Sequence, residues 1–312
     1  MNEKLIILDT DVGTDCDDVG ALAMLNAFCD KKEAKLIACT HSNGLKYGAA
    51  CIEIINNLYG RENIPIGVNN DCNFLSESNY DVYATNVATK EKMLHKTYDT
   101  YEKAVPVMRK ALANSPDGAV TMVGVGQFCN FADLLNSPPC EHSPLTGIEL
   151  IKKKVKELVL MGGFFKHDER EKYYGIENPG EYNICTHIVS AKTVVSKWPT
   201  PIVFSPFEIG YNIITNAPSS TKPSQDTAFV ESYKPYGGER FSWDQTAVLY
   251  AVRGCCDYWD ISNNGDVSID EKGRTFFTEN NKGIHRYLIE KKDPKIMSDI
   301  INELMVQGGT AT

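Results

Sequence analysis

The chain has 312 residues, of which 42% are hydrophobic, 23% charged and 10% aromatic, a soluble globular profile that excludes disordered and fibrous classes. Its formal charge of −9 argues against broad electrostatic attraction to nucleic acid or an anionic membrane, so the expected partner is a small molecule. No run approaches the roughly 18 apolar residues that span a bilayer, and the opening Met1-Asn2-Glu3-Lys4 lacks the apolar core of a signal peptide. The ten cysteines are scattered without a C-x-x-C pair, and together these features predict a cytoplasmic protein with reduced thiols.

Residues 4–8 form a short apolar run that leads through an acidic, glycine-containing turn into the Ala- and Leu-rich residues 19–28, in the order strand, loop, helix. The order recurs in 34–40 with 49–59 and in 119–125 with 130–135, and 155–161 leads into Gly162-Gly163. Apolar strands each followed by a helix predict an α/β fold: one domain over residues 1–312, with a mostly parallel, open, Rossmann-like sheet and helices on both faces. Ligands in such folds sit at the carboxyl ends of the strands. Three long polar stretches, 69–102, 164–178 and 210–240, are expected to be lids or disordered. Asp260, Ser262, Asn264, Gly265 and Glu271 match the spacing of an EF-hand calcium loop. The alternation around them reads instead as a hairpin, because an EF-hand needs flanking helices. Residues 293–305 read as an amphipathic helix.

Asp9, Asp11, Asp15, Asp17 and Asp18 crowd the end of the first strand. Helix capping accounts for one of them, whereas a hard divalent cation would relieve the mutual repulsion of the set. Two families begin in this way. Asp9-Thr10-Asp11-Val12-Gly13-Thr14 resembles the opening of haloacid-dehalogenase phosphatases, in which Asp9 would be a nucleophile with Mg2+. The same stretch with Asp17-Asp18 resembles inosine-uridine-preferring nucleoside hydrolases. Later motifs favour the second family: residues 123–130 (VGVGQFCN) resemble its T-G-x-L-T-N, 158–163 (LVLMGG) its M-G-G strand, Glu181-Tyr182-Asn183 its E-F-N, and Ser242-Trp243-Asp244 its late metal aspartate.

That resemblance implies a nucleoside hydrolase fold and calcium-dependent cleavage of the N-glycosidic bond of ribonucleosides to ribose and base, in nucleoside catabolism or purine salvage. It makes Asp11, Asp18, Asp244 and the Val125 carbonyl the ligands of Ca2+, with Asp11 also the base that takes a proton from the attacking water. Asp17, Asn43, Met161, Asn178, Glu181 and Asn183 are implied around the ribose. Val125 stands where a threonine is usual, which a carbonyl ligand tolerates. The stretch between Asp11 and Asp18 is longer than in the shortest family versions, so Asp15 has no assigned role. Trp243 replaces the histidine that protonates the leaving base in many members; the purine-preferring group shares this tryptophan, and stacking on it would favour a purine. Histidines 41, 95 and 167 and tyrosines 80, 83, 173 and 174 are further candidates near the base. The resemblance also implies a homodimer or homotetramer. A sugar-binding protein without turnover remains an alternative.

Overall fold

In the computed structural model, which describes residues 3–69, 81–169, 180–219 and 227–306, the first strands in chain order are β1 (Lys4–Thr10), β2 (Ala34–His41), β3 (Ile66–Val68), β4 (Glu102–Lys103), β5 (Val120–Gly124), β6 (Val155–Met161) and β7 (Ile202–Ser205). They are followed by β8 (Ile214–Asn216), β9 (Glu239–Phe241), β10 (Trp259–Ile261), β11 (Gly265–Ile269), β12 (Thr275–Glu279) and β13 (His285–Glu290). Successive side chains of a strand point to opposite faces, so a strand that is apolar throughout needs cover on both. β1 meets that need by sending Ile6 and Leu8 into one core and Ile7 into another. β5 and β6 divide in the same way: Val123, Val159 and Met161 join the first core, and Met122, Leu158 and Leu160 the second.

The sheet runs β12-β11-β13-β7-β6-β5-β1-β2-β3-β4, with β10 added on β13. From β13 to β4 every pairing is parallel, and β10, β11 and β12 join antiparallel, so the expected mostly parallel sheet between two helical layers is present. β1 lies centrally, with Asp9 level with Thr40 of β2 and Gly124 of β5. The helix Asp17–Asp30 is buried almost all round, as its small apolar residues require, and packs against the helices Trp243–Arg253 and Pro294–Val306.

Two of the long polar stretches are more structured than expected. Residues 69–102 include the helix Ala84–Lys90, and 210–240 include β8, β9 and the helix Thr227–Tyr233. These elements are too short for hydrophobic periodicity to reveal. The EF-hand-like segment forms the β11–β12 hairpin. Among the described residues no helix is long and apolar enough to cross a membrane.

Candidate active site

β1 delivers Thr10 and Asp11 to the carboxyl edge of the sheet, and the chain then doubles back into the helix Asp17–Asp30. Gly13 makes the reversal at φ +121°, where any side chain would be strained. Asp17 and Asp18 thereby enter the first turn of the helix, whose free N–H groups favour negative charge. Asp244 lies in the first turn of the neighbouring helix Trp243–Arg253. Oxygens of Asp17, Asp18 and Asp244 lie within 4.8 Å of one another. The Asp244 N–H donates to Asp17 Oδ2 at 3.2 Å, and Asp18 Oδ1 accepts from Thr10 Oγ1 and, at 3.2 Å, from the Asp11 N–H.

Asp11 faces the same cavity, a space of about 390 Å³ that these four aspartates share with Asp15, Val125, Met161, Glu181, Asn183, Phe207, Arg240 and Trp243. Gly126 packs so tightly here that a β-carbon would stand 2.8 Å from the Asp11 backbone nitrogen. Burial first, and mutual repulsion second, push Asp17, Asp18 and Asp244 well above the usual carboxylate range. Burial also lifts Asp11 to about 6 and Glu181 to about 7. Such acids keep their charge together only with a cation among them, and an all-oxygen donor set fits a hard divalent ion.

The opposite wall comes from the ends of β5 and β6. Asn183 Nδ2 donates to the carbonyls of Val125 at 3.0 Å and Met161 at 3.3 Å, leaving each oxygen a second lone pair. Glu181 caps the short helix Tyr182–Cys185: Oε1 accepts the Asn183 N–H at 2.9 Å, and Oε2 accepts those of Gly163 at 3.2 Å and Ile184 at 3.3 Å. The third wall is aromatic. Trp243 stacks on Phe207 with ring centroids 5.3 Å apart and donates its indole N–H to the Phe207 carbonyl at 3.0 Å, so that proton is already committed.

The expected residues therefore divide. Asp11, Asp17, Asp18, Val125, Met161, Glu181, Asn183, Trp243 and Asp244 are brought to one cavity. Asn43 is not among its lining residues: its amide donates to the Asp11 carbonyl at 3.1 Å and its Oδ1 accepts the Leu45 N–H at 3.0 Å, which braces the loop. Asn178, Tyr80, Tyr173 and Tyr174 lie outside the described residues. Tyr83 is buried rather than free to stack, with its hydroxyl donating to the Asp15 carbonyl at 2.7 Å and accepting from the Gly13 N–H at 2.8 Å. No histidine lines the cavity among the described residues. His41 is buried against the Val12 carbonyl at 2.9 Å, burial lowering it to about 4, and His167 stacks on Phe276.

Three features were missed from the sequence. Gln127 Nε2 donates to Asp11 Oδ2 at 2.8 Å, from the variable position of the glycine motif. Arg240 binds Asp15 through both Nε and Nη2, giving that aspartate its partner. Asp9 is fully buried behind the site, accepting from Asn130 Nδ2 at 2.6 Å and from Thr40 Oγ1, and burial raises it to about 8. The matching Asp-x-Asp pattern and the later Asn130 were visible, but not their contact.

The sequence profile of inosine-uridine preferring nucleoside hydrolases matches residues 6–306. The chain belongs to that family. This nucleoside hydrolase is accordingly a hydrolase that acts on N-glycosyl bonds, and its aspartate cluster suits the metal dependence of the family. Its fold is shared with an inosine-uridine preferring nucleoside hydrolase from Bacillus anthracis, at 15% identity over 97% of this chain and 99% of that one, with a TM-score of 0.70. A plant nucleoside hydrolase is similar at 18% identity over 99% of each chain, with a TM-score of 0.66. A purine-preferring ribonucleoside hydrolase from Gardnerella vaginalis is similar at 16% identity over 97% of this chain and 98% of that one, with a TM-score of 0.65. No curated protein sequence matches the nucleoside hydrolase.

Proposed function

We propose that this nucleoside hydrolase is calcium-dependent, cleaves ribonucleosides to ribose and free base with Asp11 as the base, and favours purines. The observation that carries this reading is the placing of Asp11, Asp17, Asp18 and Asp244 on one cavity, buried, with the nearest guanidinium bound to Asp15 instead. Asp11, Asp18, Asp244 and the Val125 carbonyl would hold Ca2+, which when bound supplies a Lewis acid that acidifies a neighbouring water. Asp11 accepts the proton of the attacking water; its Oδ2 is steadied by Gln127 for that task. Asp17, Glu181 and Asn183 bind and orient the ribose hydroxyls above Met161, with Asn178 reaching the 5′ hydroxyl. The carboxylates also stabilise the positive charge that grows on the ribose as the base departs. A deoxyribose would leave these buried polar groups unpaired and bind worse.

The phosphatase alternative needs Asp9 as an exposed nucleophile, and Asp9 is instead buried away from the cavity on Asn130 and Thr40. The purine preference rests on the Phe207–Trp243 wall, which matches a flat bicyclic base. One domain, a homodimer or homotetramer, and a cytoplasmic location complete the proposal on the family resemblance; sedimentation checks the oligomer. The deciding assay is release of reducing sugar from a panel of purine and pyrimidine nucleosides with and without a calcium chelator. Tight nucleoside binding without release of base would make the chain a binding protein instead.

A further inference from the structure

Arg240, on β9, is the only cationic side chain that lines the cavity among the described residues. Its position is fixed from several sides. The guanidinium carbon lies 4.9 Å from the centre of the Tyr236 ring, 5.1 Å from that of Trp243 and 5.6 Å from that of Phe241. Nε donates to Asp15 Oδ1 at 2.9 Å and Oδ2 at 3.0 Å, and Nη2 donates to Oδ2 at 2.5 Å. Asp15 is itself anchored, since its Oδ1 accepts the Cys16 N–H at 2.7 Å and its carbonyl accepts the Tyr83 hydroxyl at 2.7 Å. A guanidinium bound in this way uses one edge of its planar fork. The other edge, Nη1 with the second Nη2 hydrogen, has no hydrogen-bond partner among the described residues.

The departing base needs a group to receive its electron pair. The Trp243 N–H is committed to Phe207, its ring is already engaged by Phe207 and by the guanidinium, and no described histidine lines the cavity. Resting on the nucleoside hydrolase reading of the site, we propose that the free edge of Arg240 binds the O6/N7 edge of a 6-oxopurine and selects bases that leave as carbonyl-stabilised anions. Two parallel N–H donors match those two acceptors. A 6-amino group would set donor against donor and leave a guanidinium hydrogen unpaired. In the step itself the C1′–N9 bond breaks with its electron pair moving onto the base, where O6 carries charge against the guanidinium. Water gives hydroxide to C1′ and its other proton to Asp11, from which it returns to the base on release. Arg240 keeps its protons throughout, and nothing is oxidised or reduced. A phosphate would also match the fork, but the rings around Arg240 suit a flat base.

The test uses the calcium-saturated full chain and measures kcat/KM for inosine, for purine riboside, which lacks the 6-oxygen, and for inosine 5′-monophosphate. Wild type should favour inosine over purine riboside by at least about 10-fold, and Arg240→Gln should lower the inosine value by about 100-fold and the purine riboside value by less than about 5-fold. Arg240→Lys, which keeps the charge and loses the fork, should fall between them. Equal losses on the two nucleosides, or equal wild-type values should Arg240→Gln not fold, overturn the inference and leave the hydrolase reading standing. A wild-type preference for inosine 5′-monophosphate that Arg240→Gln removes assigns the fork to a phosphate and also overturns it. Release of base from no nucleoside overturns the hydrolase reading and this inference together.

Discussion

Two acidic stretches of this chain have met opposite fates. Between Asp260 and Glu271 each acid finds its own partner at the surface: Asp260 meets Lys291 at 3.5 Å, Asp266 accepts from Asn280 at 2.6 Å, and Glu271 pairs with Lys192. Asp270 accepts from the Lys272 and Arg274 N–H groups and from Arg274 Nε, which outweigh its small burial penalty and hold it below the usual carboxylate range. Asp11, Asp17 and Asp18 instead are buried facing one another and a distant Asp244, and burial and repulsion raise them. A row of acids becomes a candidate metal site where the fold denies each one a private partner. Calcium-loop spacing does not achieve that by itself.

The contrast can be broken at several points. Asp11→Asn should give the largest effect, a fall in kcat of about 1,000-fold with the melting temperature preserved, read by steady-state assay and thermal melting. Activity above a tenth of wild type would remove Asp11 as the base. Chelation should follow, lowering activity by about 100-fold with calcium restoring it better than magnesium; better rescue by magnesium contradicts the choice of ion.

Asp17→Asn sharpens the division of labour. As a ribose contact, Asp17 predicts a KM rise of about 10-fold with calcium affinity unchanged. Its closeness to Asp18 and Asp244 makes the opposite outcome, lost calcium affinity by titration calorimetry, the sign that it belongs to the metal.

A smaller effect is expected from pH. The folded-state values of Asp11, Asp17, Asp18 and Asp244 lie above the ordinary carboxylate value, so their protons stabilise the metal-free protein fully below about pH 4. That stability is lost as pH rises through about 6 for Asp11 and through the raised values of the others. Chelated protein should melt about 5 °C lower at pH 8 than at pH 5.5, and saturating calcium should narrow the gap in a calorimetric scan. Asp270→Asn should change least, within about 1 kcal/mol of stability by denaturant melt and without effect on kcat.

The apolar runs of β1, β2, β5 and β6 were legible because buried parallel strands are continuously hydrophobic, and the glycine-punctuated loops after them marked the functional edge of the sheet. The acids of 9–18 and Glu181, Asn183 and Asp244 were legible as residue types suited to metal and sugar. Asn43 braces a loop beside Asp11, and a side chain that does so and one that reaches into the cavity look alike in sequence. Arg240 was overlooked in a stretch read as loop, since the pairing that makes it informative joins positions 15 and 240.

By itself the sequence determined the chemistry on offer: hard oxygen donors at a strand end, an indole beside the late aspartate, and strands that demand a doubly covered sheet. Only the tertiary structure decided which acids share a cavity, that the indole proton is already engaged, and that Asp15 is paired with an arginine. The physical reason is that hydrophobic periodicity is local, whereas burial, repulsion and hydrogen bonding among carboxylates depend on contacts between residues more than two hundred positions apart.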